Sequence, residues 1–158
     1  MSDCSAEIAK GQAPSPECLG RAAQHVAHDL ELFQLAWAER QSRLGWTLWF
    51  ILARSLWDFF FTFERRKRDG LFLDDILASD FPATHPWRDL AESLRKAAEQ
   101  LPDSGAVRNA ANKYSAHLTY SRIDAPTAEP SESIHRFLTG VASTWRDRLK
   151  PEAKVWLG

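Results

Sequence analysis

The chain has 158 residues, of which 44% are hydrophobic, 26% charged and 11% aromatic, and its formal net charge is -1. That length and apolar share suit one domain with a substantial core, and exclude a disordered chain, a disulfide-stapled miniprotein and a collagen-like repeat. A charge near zero removes the simplest electrostatic case for a nucleic-acid partner, a strongly basic domain.

Along the chain, residues 1–15 are polar, carry Gly11 and Pro14, and read as a loose, flexible N-terminal arm. The opening MSDCSAEIAK has acidic residues and no apolar run, so it does not read as a signal peptide. Cys4 and Cys18 read as two lone cysteines, neither a framework nor a metal site, which points to a reduced cytoplasm. Ser15 is placed to cap a helix with Pro16 at its first position, and Leu19, Ala22, Ala23, Val26, Leu30, Phe33 and Trp37 then recur at helical spacing to about Gln41.

Gly45 reads as a break before a second helix, WTLWFILARSLWDFFFTFE, which is apolar on nearly every side. Such a helix is central in a bundle or lies in a membrane. The membrane needs about 20 apolar residues, and Arg54 and Asp58 interrupt this run, so the bundle centre is the reading and no membrane partner is expected. Residues 65–86 form a long connection with apolar ballast, expected to fold back on the domain with a short helix near Asp74–Ser79. A third helix follows Pro86 in WRDLAESLRKAAEQL, and a fourth is AVRNAANKYSAHLTYSR, with Asp103 or Ser104 as cap. Pro130 and Ser131 start a fifth, with Ile134, Phe137, Leu138, Val141 and Trp145 at helical spacing, closed by Pro151. No stretch alternates with period two. The fold class is all-α: a bundle of four main helices plus a fifth C-terminal helix over residues 16–150, with residues 151–158 as a tail.

Four features could carry chemistry. Arg54 and Asp58 sit one turn apart among Trp49, Phe50, Trp57, Phe59 and Phe60, and burial there would require both to be paired. Their bland role is to satisfy each other; their functional role is to serve a ligand. In the fourth helix, Val107, Ala111, Tyr114 and Leu118 form the core stripe, with Asn109, Lys113, His117 and Tyr120 as a polar stripe on its flank. Such a stripe suits a cleft and also suits a partly exposed helix, with His117 as an ordinary hydrogen-bonded histidine. The run Arg65 to Arg68 reads as cations meeting the dipole at the end of the second helix. Asp74, Asp75, Asp80 and His85 match no metal-ligand spacing, and no phosphate loop, dinucleotide turn or nucleophile elbow is present, so neither metal nor cofactor is implied.

The aromatic-rich helix with RSLWDFF, the basic turn after it and the later helix with NKYSAHLTYSR resemble small bacterial proteins of the HEPN type (higher eukaryotes and prokaryotes nucleotide-binding). The resemblance spans about residues 44–122. It implies a helical bundle, often a homodimer, that binds a nucleotide or binds or cleaves RNA. It makes His117 the catalytic histidine, with Asn112 and Lys113 beside it. The family's RNases place an arginine a few residues before that histidine. Here Arg108 stands nine positions before His117, on the opposite side of the helix, and Lys113 is the cation one turn away. Metal-free cleavage would use His117 as general acid or base, with Arg54 or Lys113 stabilising phosphate charge and Asp58, Asn109, Asn112 and Tyr120 lining the site. The competing class is a non-enzymatic module whose Trp-rich surface is a dimer or partner interface.

Overall fold

A computed structural model describes residues 4–65, 67–72, 75–105, 107 and 129–157. The protein is an all-α helical bundle, with six α-helices among the described residues: α1 (Cys4–Ala9), α2 (Pro16–Ala38), α3 (Arg43–Phe61), α4 (Trp87–Glu99), α5 (Glu132–Arg148) and α6 (Pro151–Val155). No helix among these residues is long and apolar enough to cross a membrane.

Local chemistry sets the helix starts. Ser15 accepts the Cys18 N–H at 3.3 Å ahead of Pro16, and Ser131 accepts the Ile134 N–H at 3.4 Å, so each hydroxyl satisfies an otherwise unpartnered donor of the first turn. The start of α3 corrects the sequence reading. Ser42 caps it, accepting from the Gly45 N–H at 3.0 Å, and Gly45 lies inside the first turn rather than breaking the chain. A Cβ at Gly45 would lie 2.2 Å from the Glu39 carbonyl oxygen. Only glycine lets the end of α2 approach α3 so closely, and the four-residue turn 39–42 makes the two helices neighbours.

The core forms around α3. Trp49, Phe50, Leu52, Ala53, Leu56, Phe59, Phe60 and Phe61 are buried against Phe33 and Ala36 of α2, Trp87 and Ala91 of α4, and Leu138, Val141 and Trp145 of α5. Phe59 meets Phe60, Phe81 and Trp145 edge-on, with ring centroids 4.9, 6.1 and 5.1 Å away. Two buried indoles tie elements together: Trp87 donates to the Phe60 carbonyl at 2.8 Å, and Trp145 donates to the Ala78 carbonyl at 3.2 Å. The opposite side of α3 is not buried, since Ile51, Ser55 and Asp58 are exposed. The helix is two-faced, not buried all round.

The connection after α3 folds back as expected. Thr84 donates its N–H to the Arg148 carbonyl at 2.8 Å and Lys150 donates to the Pro82 carbonyl at 3.0 Å, fastening it to the end of α5. A single 3-10 turn, Ala78–Asp80, stands near the short helix anticipated there. The basic run departs from the reading. The helix stops at Phe61, so Arg65, Lys67 and Arg68 do not meet its dipole. Arg65 turns instead to a bridge with Asp80, whose carboxylate also accepts the Leu77 N–H at 2.9 Å. Lys67–Arg68 pairs antiparallel with Leu71–Phe72. Asp69 (φ 52°) and Gly70 (φ 82°) make the turn, the left-handed pair that an Asp-Gly hairpin loop requires.

Both ends carry structure where an arm and a tail were expected. Cys4 and Cys18 form a disulfide with Cα atoms 5.7 Å apart, joining α1 to the first turn of α2. Closing a loop across a sequence separation of 14 stabilises a fold by about 3 kcal/mol in the chain-entropy account. The expectation of two lone cysteines is overturned by this bond. At the other end, Ala153 of α6 and Leu157 just beyond it are buried in the main core, and the Trp156 ring lies beside Gly20 of α2.

Phe59 is 7% exposed in the middle of this ring cluster. Phe59→Ala is expected to cost about 3–5 kcal/mol in urea denaturation, through lost burial and the cavity left behind. An unchanged midpoint would place the ring outside the core.

Candidate functional site

The sequence candidates divide sharply. Asn109, Asn112, Lys113, His117 and Tyr120 lie outside the described residues. Arg54 and Asp58 are described, and α3 presents them on its solvent side. The Arg54 Nε stands 3.6 Å from an Asp58 carboxylate oxygen, with the two side chains 36% and 54% exposed. They are paired, as expected, but are not enclosed by the aromatic residues that neighbour them in sequence. The reason is the helical wheel, which turns positions 54 and 58 away from Leu52, Leu56 and Phe59. A half-exposed pair of this spacing contributes only about 0.3–0.5 kcal/mol, so it does not explain the fold.

These residues line a cleft of about 280 Å³ between α3, the end of α4 and α5. Its walls are Ala53, Arg54, Trp57 and Asp58 from α3, Glu99 from α4, Ser104, Gly105 and Val107 from the chain beyond, and Ile134 and Leu138 from α5. The volume is at the small end for ligand pockets. Trp57 is half-buried, its ring tilted against Phe61 at 4.9 Å, so an indole lines the cleft beside a guanidinium and two carboxylates. A second hollow of about 450 Å³ lies on the other side of the pair and carries His25, Asp29 and Asp75. Its carboxylates outnumber its one arginine, which is poor chemistry for an anion. Among the described residues no three His, Cys, Asp or Glu side chains gather as metal ligands, so Asp75, Asp80 and His85 form no centre.

One histidine with a built environment escaped the sequence reading. His135 is 6% exposed on α5. Its ring stacks on Trp37 at 4.5 Å and 8°, and lies 4.7 Å from Phe33. The Trp49 indole N–H reaches Nδ1 at 3.4 Å, and Gln34 Oε1 lies 3.1 Å from Nε2. An indole can only donate, so Nδ1 is the acceptor and Nε2 carries the proton, donating to Gln34. Gln34 passes the chain on, donating to the Thr139 hydroxyl at 3.0 Å. Burial lowers the His135 pKa, and the nearby Arg40 cation lowers it further. The Trp49 donor demands an unprotonated Nδ1 and hence a neutral ring, so this is a structural histidine. The signal was present: His135, Leu138, Ala142 and Trp145 share one face of α5, and all are buried.

Asp80 is perturbed in the opposite sense. Burial raises its pKa, against the lowering effects of the Leu77 N–H and Arg65. Its ring of partners is complete, and nothing about it resembles a nucleophile or base awaiting substrate.

Compared with known proteins, the chain gives no significant match to a family model, a curated protein or a solved structure. The site must therefore be judged on its own geometry.

The neutral requirement at His135 has a pH consequence. In the unfolded chain the ring takes a proton near 6.5, whereas in the fold it resists until lower pH. Its contribution to stability is complete above 6.5 and is lost as pH falls from there towards the lowered folded value. The melting temperature is expected to fall between pH 7.5 and 5.5 (a window chosen on the unperturbed histidine value), and His135→Phe should flatten that fall. An identical pH slope in the two proteins would assign the effect elsewhere.

Proposed function

We propose that the chain is a nucleotide-binding bundle of the HEPN type, and that the cleft at Arg54, Trp57 and Asp58 takes the base of a nucleotide or of an RNA end. The observation that carries this reading is the joint placement of a half-buried indole and a guanidinium–carboxylate pair in one cleft whose rim includes Val107. Asn109, the first of the polar residues that include Lys113, His117 and Tyr120, follows Val107 by two positions in the sequence. In this reading a base stacks on Trp57, an interaction worth about 1–3 kcal/mol, and Asp58 accepts from a ring N–H. Arg54 faces the sugar–phosphate side. The cleft balances Arg54 against Asp58 and Glu99, so binding comes from the base more than from the backbone and depends weakly on salt.

RNA cleavage is the extension of the same reading. His117 serves as general acid or base, with Lys113 and Arg54 stabilising charge on the phosphate. The competing reading, a self-associating module, is favoured by a separate observation. Leu44 and Ile51 lie seven residues apart on one face of α3 and are 78% and 40% exposed. A homodimer formed there would lose its association in Leu44→Glu while retaining its monomer fold.

Calorimetric titration with the four ribonucleoside monophosphates and with a short single-stranded RNA tests the proposal. At least one ligand is expected to bind. Trp57→Ala should raise its Kd about fivefold or more, the lower bound of base stacking, and Asp58→Asn should shift the preference among bases. His117→Ala is expected to abolish any RNA cleavage with little change in melting temperature. Absence of binding at millimolar ligand, or affinity indifferent to Trp57 and Asp58, would overturn the reading and leave self-association.

A further inference from the structure

The two sulfurs of the N-terminal disulfide face charges of opposite sign. Cys4 and Glu7 lie three positions apart on α1, and Cys18 and Arg21 lie three apart on α2, so each helix carries one sulfur and one charged group on a shared face. The pairs cross. The Arg21 guanidinium lies 3.8 Å from the Cys4 sulfur, and the Glu7 carboxylate lies 3.7 Å from the Cys18 sulfur. Both sulfurs belong to the first turn of a helix, so the helix termini act on them alike and the side chains make the difference. In the reduced pair the cation favours a thiolate at Cys4, whereas the carboxylate favours a neutral thiol at Cys18. Access runs the same way, since Cys4 is half-buried beside an exposed Arg21 and Cys18 is buried. A cavity of about 240 Å³ borders both cysteines and Arg21, with Leu19, His25 and Asp80 also in its wall. More than the bond holds α1: Ile8 is buried, Ser5 and Ala6 have partners of their own, and the helix contacts the strand Leu71–Phe72. Cleavage of the bond therefore leaves two thiols facing each other.

We propose that Cys4 and Cys18 form a dithiol that reduces small hydroperoxides, with Cys4 as the nucleophile and Cys18 as the resolving thiol. The Cys4 thiolate attacks the terminal oxygen of the hydroperoxide. The O–O bond breaks, the alkoxide leaves with the electron pair and takes a proton from solvent, and Cys4 becomes a sulfenic acid. Arg21 stands where negative charge passes from sulfur to oxygen, and stabilises it through the transfer. Glu7 then takes the Cys18 proton, and the Cys18 thiolate attacks the Cys4 sulfur. The S–O bond breaks, and the departing hydroxide recovers that proton as water. Two thiols and one hydroperoxide give one disulfide, one alcohol and one water. The Cys4–Cys18 disulfide is the end state, and a dithiol reductant resets it by exchange, its own two sulfurs becoming the new disulfide. The small cavity favours a hydroperoxide over a bulkier disulfide substrate. This site shares no residue with the cleft at Trp57.

The test takes the full chain, reduced with dithiothreitol and desalted, and exposes it to hydrogen peroxide, cumene hydroperoxide or oxidised glutathione. Alkylation of the remaining thiols and intact-mass spectrometry follow the return of the disulfide. Either hydroperoxide is expected to restore it faster than it consumes free cysteine. The rate should fall about fivefold or more in Arg21→Met and recover in Arg21→Lys, since the cation serves both the thiolate and the departing oxygen. Cys18→Ser should accumulate a dimedone-reactive sulfenic acid at Cys4, whereas Cys4→Ser should give none at Cys18. Glu7→Gln is expected to keep the first step and slow closure about tenfold or more, so that the same dimedone adduct appears with both cysteines present. A parent protein no faster than free cysteine would overturn the proposal, and this comparison stands even where a variant does not fold. Sulfenic acid formed at Cys18 in preference to Cys4 would overturn it too. So would restoration by oxidised glutathione and not by hydroperoxide, which reassigns the pair to thiol–disulfide exchange.

Discussion

Three tryptophans lie fully inside this protein, and each carries one N–H that must find an acceptor. Burial of an indole gains a large apolar area, but an unpartnered N–H in the interior costs much of that gain. The structure satisfies all three from different elements. Trp87 at the start of α4 donates to the Phe60 carbonyl, one of the last in α3, which has no partner within its own helix. Trp145 of α5 donates to Ala78 in the 3-10 turn, and Trp49 of α3 donates to His135 of α5. These bonds set the register of α3, α4, α5 and the long connection more narrowly than apolar burial alone, which is non-directional.

His135 follows from that constraint. The acceptor for Trp49 is a ring nitrogen rather than a carbonyl, so the histidine must stay neutral and in one tautomer. Gln34 holds that tautomer from the other side, and Trp37 covers the ring face. Arg40 stands over Trp37 at 4.2 Å, its cation meeting the indole face. A residue type that suggests catalysis is here a bridge between two tryptophan-bearing helices.

The same packing decides what α3 can offer outside. Its aromatic residues are used inward by α2, α4 and α5, so Arg54, Asp58 and the edge of Trp57 are left at the surface beside the chain leaving α4. The site is a by-product of a two-faced helix, which suits a binding cleft. The connection between α3 and α4 plays the opposite part. Its Arg65–Asp80 bridge is turned inward, and Leu77, Ala78 and Phe81 anchor it by burial.

The amino-acid sequence alone determined the class and most of the core. Helical spacing in residues 19–37, 49–60 and 134–145 marks the buried faces, and Ser15, Pro16 and Ser131 mark helix starts, because periodicity and capping are local. What only the tertiary structure decided is everything that depends on a second segment. Gly45 reads as a break until Glu39 is seen to occupy the space of its missing Cβ. Arg54 and Asp58 read as buried until the direction of the core is known, and Arg65 reads as a helix-end cation until Asp80 is seen opposite it. Cys4 and Cys18 are two separate thiols in the sequence and one bond in the fold, since pairing depends on their Cα distance and not on their spacing. The spacing of His135 with Leu138, Ala142 and Trp145 marks it as buried, but its neutral state depends on Trp49 from another helix. Contacts between distant segments carry no local signature, and it is those contacts that separate a structural histidine from a catalytic one.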